Sequence, residues 1–204
     1  CLFSPSTNCS LNFSDARLDG SLSTIACRFR GRVVGARSTI TGSLRTANNE
    51  YMRIPNLKFA THFMSDFDIN SATILGNLSL RNITVKGRLD LHGVNIKGTL
   101  VFKAYGEHDE STPPYTSLQD VDARFLSVGR EIDCRHTTFH GLALFESAQC
   151  GSFLAGQIKQ LKSSTKDKSQ STTESQSTTE SQFTTNFEQG LNVSNAKIAG
   201  DVVL

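Results

Sequence analysis

Glycine recurs in this chain at a fixed step of eleven, at Gly20, Gly31 and Gly42 and again at Gly76, Gly87 and Gly98. A fixed period constrains a fold more than any single motif, because every copy must build the same unit. Around the glycines runs one template: apolar, any, apolar, any, any, small or apolar, any, apolar, any, glycine. Leu11, Phe13, Ala16, Leu18 and Gly20 fill it, and so do Phe67, Ile69, Ala72, Ile74 and Gly76. Leu78, Leu80, Ile83, Val85 and Gly87 follow, then Leu89, Leu91, Val94, Ile96 and Gly98. Leu191, Val193, Ala196, Ile198 and Gly200 repeat it near the far end.

Spacings of two put alternate side chains on one side, which is strand geometry. The single spacing of three would reverse the facing unless the chain turns a corner there. Arg81–Asn82 and His92–Gly93 occupy that position, and such residues suit a solvent-facing bend. No helical period fits these positions. One repeat cannot bury its own apolar side, whereas stacked copies can, each strand pairing with its equivalent ~4.8 Å away. The expected fold is therefore all-β, a β-solenoid of stacked short strands forming one domain over 1–204. Two repeats are expected to make a flattened coil of about 22 residues, and roughly five coils a stack of ~25 Å.

Three stretches interrupt the period. Residues 45–66 carry Leu57, Phe59 and Met64 with slips and read as degenerate coils around a loop. Residues 103–120 read as a loop leaving the stack, since Pro113–Pro114 cannot donate to a ladder. Residues 163–186 are a Ser/Thr/Gln/Glu tract with tandem Ser-Gln-Ser-Thr-Thr-Glu units, without the apolar content a packed core needs.

The runs Ala72-Thr-Ile-Leu-Gly-Asn-Leu-Ser-Leu80 and Ala196-Lys-Ile-Ala-Gly-Asp-Val-Val-Leu204 resemble the pentapeptide-repeat and bactofilin-like bacterial β-solenoids. The period departs from strict pentapeptide repeats, which step by five or ten. The resemblance implies a fold and is silent on a reaction, because solenoids host unrelated functions.

Net charge is only +2, yet residues 1–102 hold 12 Lys/Arg against 6 Asp/Glu, and residues 103–204 hold 9 against 13. Arg28, Arg30 and Arg32 alternate with inward Cys27, Phe29, Gly31 and Val33 and are expected on one outer face, extended by Arg17 and Arg37. They form a candidate patch for an anionic polymer or lipid headgroup, with an exposed, charge-protected strand as the plain alternative. Asn8, Asn12, Asn77, Asn82 and Asn192 head Asn-x-Ser/Thr sequons and are candidate glycosylation acceptors.

The five cysteines show no CxxC spacing. Cys27, Cys134 and Cys150 fall on inward positions and are expected in the core, while Cys1 and Cys9 are placed to close a small loop under oxidising conditions. His136 and His140 are four apart, a spacing that in strands does not give one face, and His108 sits in the acidic run Glu107-His-Asp-Glu110. No metal site, cofactor or catalytic residue is expected. No phosphate loop, dinucleotide fingerprint, nucleophile elbow or nucleic-acid motif is present, and no apolar run reaches membrane-spanning length. Asp15, Asp19, Asp66, Asp68 and Asp90 are the carboxylates available to a polysaccharide-active β-helix enzyme.

The leading expectation is a non-enzymatic scaffold or binding module, extracellular or on the cell surface, with an anionic polymer or protein as partner. A self-assembling structural protein is the second expectation. The chain opens on Cys1 rather than Met and is read as processed or excised. Ala196–Leu204 is a clean repeat without a polar cap, so that end is expected to continue into further sequence or to meet another coil.

Overall fold

The computed structural model describes residues 2–3, 9–46, 60–103, 116–156 and 185–203. They form four parallel sheets of seven strands each. The chain visits the sheets in turn, and we call them faces A, B, C and D. A central coil runs Ile83–Val85 on face A, Leu89–Asp90 on B, Asn95–Ile96 on C and Leu100–Val101 on D. The register is in step throughout: Ile74 pairs with Ile40 and Ile96, and Leu78 with Leu44 and Leu100. Two eleven-residue repeats thus make one coil, as expected, but each repeat covers two sides, so the coil is four-sided rather than flattened. Seven strands per sheet mean seven coils rather than five, a stack of roughly 29 Å at the usual strand spacing.

Two kinds of corner alternate. Between faces B and C, Asp15, Arg37, Ser71, Gly93, Phe125, Ser147 and Asn195 occupy the left-handed region, with φ between 56° and 65°. That single inverted residue turns the chain and keeps the apolar side chains inward on both sides, which is what the spacing of three requires. Asx side chains brace it: Asp68, Asp90 and Asp122 accept the backbone N–H two residues on, from Asn70 at 3.0 Å, His92 at 3.0 Å and Arg124 at 3.2 Å. Between faces C and D the coils meet through glycine, with the Gly98 N–H donating to the Gly76 carbonyl at 3.0 Å.

The core is one continuous apolar column. Ile74, Val85 and Ile96 are buried, and their neighbours Thr73, Thr84 and Asn95 are half-buried rather than fully exposed, because side chains of adjacent coils cover one another on the outer faces. On face A the inward rings of Phe29 and Phe63 stack at 5.1 Å, and those of Phe139 and Phe187 at 4.7 Å. Cys27, Cys134 and Cys150 are buried free thiols, and burial pushes the Cys134 thiol well up, so these are packing residues. Cys9 is a free, half-buried cysteine, while Cys1 lies outside the described residues.

The interruptions are narrower than the sequence suggests. Thr61–Phe63, placed above among degenerate coils around a loop, and Thr116–Leu118, placed above in a loop, are face A strands of two further coils. Thr185 and Asn186, placed in the low-complexity tract, are respectively a buried residue and the start of the last face A strand. Leu57, Phe59 and Pro113–Pro114 lie outside the described residues.

Candidate functional site

After Thr46, Lys103 and Gly156 the described chain breaks off at the same point of the coil, between a face D strand and the next face A strand. These points follow the second, fourth and sixth coils, so successive ones are two coils, or about 10 Å, apart. The intervening coils close the same corner tightly, through left-handed Ala26, Asn82 and His136. At every re-entry the first described buried residue is a threonine. The Thr61 hydroxyl donates to the carbonyls of Thr24 at 2.7 Å and Thr46 at 2.9 Å. The Thr185 hydroxyl donates to Cys134 at 2.8 Å and also to Ala155, while Thr116 accepts from the Asn82 N–H at 3.1 Å. At the first and third of these points the re-entering threonine is thus bonded to the departing chain, Thr61 to Thr46 and Thr185 to Ala155.

Face B is a neutralised charge ladder. Asp68, Asp90 and Asp122 stand in register on three consecutive coils. Arg32 reaches Asp66 at 3.5 Å and Asp68 at 3.6 Å, Arg88 bridges Asp90 and Asp122, and Arg124 grips Asp122 with bonds of 2.9 and 2.8 Å. Burial raises the Asp122 pKa, but the Arg124 side chain, the Arg124 N–H and the charges of Arg124 and Arg88 outweigh it, so the net shift is downward. A glycosidase general acid needs the opposite shift. Of the carboxylates named above, Asp15 pairs with Arg37 at 2.7 Å and Asp19 with Arg17 at 3.1 Å.

Face A differs. Its outer side carries two columns set by the strand register: Arg28, His62, Thr84, Ser117, Thr138 and Asn186, and beside them Arg30, Met64, Lys86, Gln119, His140 and Glu188. The upstream half is basic. Among the described residues Arg28, Arg30 and Lys86 form no ion pair. Burial, then the charges of Arg28 and Lys86, lower the His62 pKa. The downstream half holds a hydrogen-bonded series. Ser117 Oγ lies 3.0 Å from His140 Nε2, and His140 Nδ1 lies 3.0 Å from Glu188 Oε2.

The predicted arginine patch is therefore divided. Arg28 and Arg30 belong to face A, whereas Arg32, beyond the Gly31 corner, lies on face B in its ion pairs. Arg17 and Arg37 are committed to Asp19 and Asp15 and do not extend the patch. Of the sequon asparagines, Asn12 and Asn77 are exposed, Asn82 and Asn192 are half-buried, and Asn8 lies outside the described residues. Asn12 and Asn192 brace corners through the N–H of Ser14 and Ser194, and Asn77 accepts from Thr99 of the next coil. His136 is buried at a corner while His140 is on face A, so the two do not converge. No group of three metal-binding side chains occurs among the described residues, and His108 lies outside them. No described helix is long and apolar enough to cross a membrane.

Sequence reasoning did not bring Ser117, His140 and Glu188 together. Carrying the face A register through both gaps is the signal that would have done so. A shallow depression lined by Ser127, Gly129, Gln149, Gly151 and Lys197 lies on face C, opposite face A. No family model matches this chain, and no curated protein or solved structure matches it.

Proposed function

We propose that this protein is an extracellular or surface-associated binding scaffold that holds an anionic polymer along face A. The observation that carries this reading is a contrast between adjacent faces. On face B every named arginine is neutralised by aspartate. On face A Arg28, Arg30 and Lys86 stand within three consecutive coils without ion pairs among the described residues. Arg28 and Arg30 on one coil and Lys86 two coils on, ~10 Å away, spread positive charge along a rigid face, which suits an extended ligand with repeated negative charge better than a compact one. The kinship with pentapeptide-repeat or bactofilin-like solenoids belongs to this reading and is supported by the repeat runs alone.

The test is titration calorimetry with heparin as the probe polymer at two salt concentrations. The expected result is binding that weakens with salt and is lost in Arg28→Glu/Arg30→Glu, two exposed positions whose change leaves the fold intact. Absence of binding at low salt, or binding unaffected by the charge reversal, overturns the proposal.

A further inference from the structure

Polar ladders are ordinary on solenoid faces, because side chains on successive coils stand close enough to touch. Stacking does not dictate which atoms meet, and on the downstream half of face A the order of atoms is specific. The Glu188 carboxylate only accepts hydrogen bonds, so at His140 the Nδ1–H must donate to it. The neutral imidazole then presents Nε2 as an acceptor, and the hydroxyl of Ser117, 3.0 Å away, must be the donor. This is the arrangement of nucleophile, base and orienting acid that acyl-transfer sites use on unrelated folds. The orienting acid is itself held, since the Asn186 Nδ2–H donates to Glu188 Oε1 at 3.4 Å. Gln119 occupies the His140 column on the preceding coil and supplies exposed side-chain N–H donors beside Ser117. Such donors are the groups an acyl-transfer oxyanion requires.

We infer that Ser117, His140 and Glu188 form a hydrolytic triad for small acyl esters. The face is open and flat, so the triad suits an acetyl-sized group presented by a larger molecule rather than a substrate enclosed in a pocket. Ser117 Oγ bonds to the acyl carbon as its proton passes to His140 Nε2. The ester C–O bond then breaks, and the proton goes to the departing alkoxide. Water attacks the acyl-Ser117 ester, gives its proton to His140, and the carboxylic acid leaves with Ser117 restored. Ser117 and His140 are the catalytic residues; Glu188, acting through His140, is a positioning residue. This site lies on coils downstream of the basic column and stands independently of polymer binding.

The test treats the full chain with diisopropyl fluorophosphate, in which the Ser117 Oγ–P bond would form as fluoride leaves, and locates the adduct by tandem mass spectrometry. Turnover of p-nitrophenyl acetate is followed in parallel. The expected result is a single adduct at Ser117, absent from Ser117→Ala and slowed about 100-fold or more in His140→Gln, the usual range for a general base. Glu188→Gln should slow labelling and Glu188→Asp restore part of it, which a merely structural role would not do. All of these positions are on the outer face, and the melting temperature of each variant confirms its fold. Labelling spread over many serines overturns the assignment, as does Ser117 labelling indifferent to His140→Gln. Ester turnover that survives Ser117→Ala while requiring His140 overturns it as well, because it would make the imidazole alone the nucleophile.

Discussion

The Gly76 N–H donates to the Gly42 carbonyl at 2.8 Å, and a Cβ on Gly76 would lie 2.7 Å from that same oxygen. Backbone therefore lies directly on backbone at the corner between faces C and D, and the register fixes the gap. Gly76→Ala must push two coils apart in the middle of the stack. The expected cost is about 2 kcal/mol, the range for overpacking a close contact. The control is Gly93→Asn. Gly93 is left-handed at φ 65°, but its nearest neighbour to an added Cβ is 3.7 Å away, and six other coils carry non-glycine residues at that corner. Urea denaturation should separate the two variants clearly, with Gly93→Asn within about 1 kcal/mol of the parent.

Val85 is 1% exposed, inward on face A between Phe63 and Leu118. Val85→Asp buries a charge with no partner in an apolar column. A loss above roughly 4 kcal/mol is expected, a large part of the stability of an ordinary domain. Thermal melts followed by circular dichroism should show the variant unfolding far below the parent. A melting curve like that of the parent would contradict the inward assignment.

The inward positions of 67–102 were legible because nothing disturbs their period, and Ile74, Val85, Leu89 and Ile96 are buried where the template puts them. The coil count was not legible, for two physical reasons. At the corner between faces A and B an aspartate can replace glycine by reaching into the next coil. Asp66 Oδ1 accepts from the Arg88 N–H and Asp120 Oδ1 from the Leu142 N–H, both at 3.0 Å. Those same oxygens occupy the space a Cβ on Gly87 or Gly141 would need, so the third and fifth coils lack at this corner the glycine that the coil after each carries. At the corner between faces C and D Gly129 stands three residues before inward Ile132, where Gly98 stands two before Leu100, and the slip hides a complete coil. The Ser117–His140–Glu188 series was invisible for another reason: its members are 23 and 48 residues apart, and no periodic rule gives the second separation.

Asp122 links stability to pH. Its folded pKa is depressed below the ordinary 3.8, so its contribution is fully present above that value and is lost as pH falls through the folded value. Asp122→Asn should be less stable than the parent at pH 7 by about 1–2 kcal/mol, a loss moderated by the half-exposed arginines that hold it. The difference should hold down to about pH 4 and narrow below it. Thermal melts of both proteins from pH 7 to pH 2 check this, and a gap that widens on acidification would mean that Asp122 is not charged in the folded state.

The low-complexity tract can be cut out, but where the cut ends matters. Removing residues 163–184 spares Thr185, whose hydroxyl donates to the Cys134 and Ala155 carbonyls and holds the re-entering chain against the departing one. The described chain on either side, Ala155 and Thr185, is thus already in contact, and a shorter connection lowers the entropy of closure. Removing 163–186 also deletes Thr185 and Asn186, leaving buried carbonyls of Cys134 and Ala155 without that donor and unpairing Thr138 from Asn186 on face A. The first deletion should melt within a degree or two of the parent. The second should lose about 1–3 kcal/mol, the cost of unsatisfied buried polar groups, concentrated in the last coil. Hydrogen exchange would show it as lost protection at Phe187 and Leu191 with the 67–102 coils unchanged. Equal stability of the two deletions would show that Thr185 does not hold the re-entering chain.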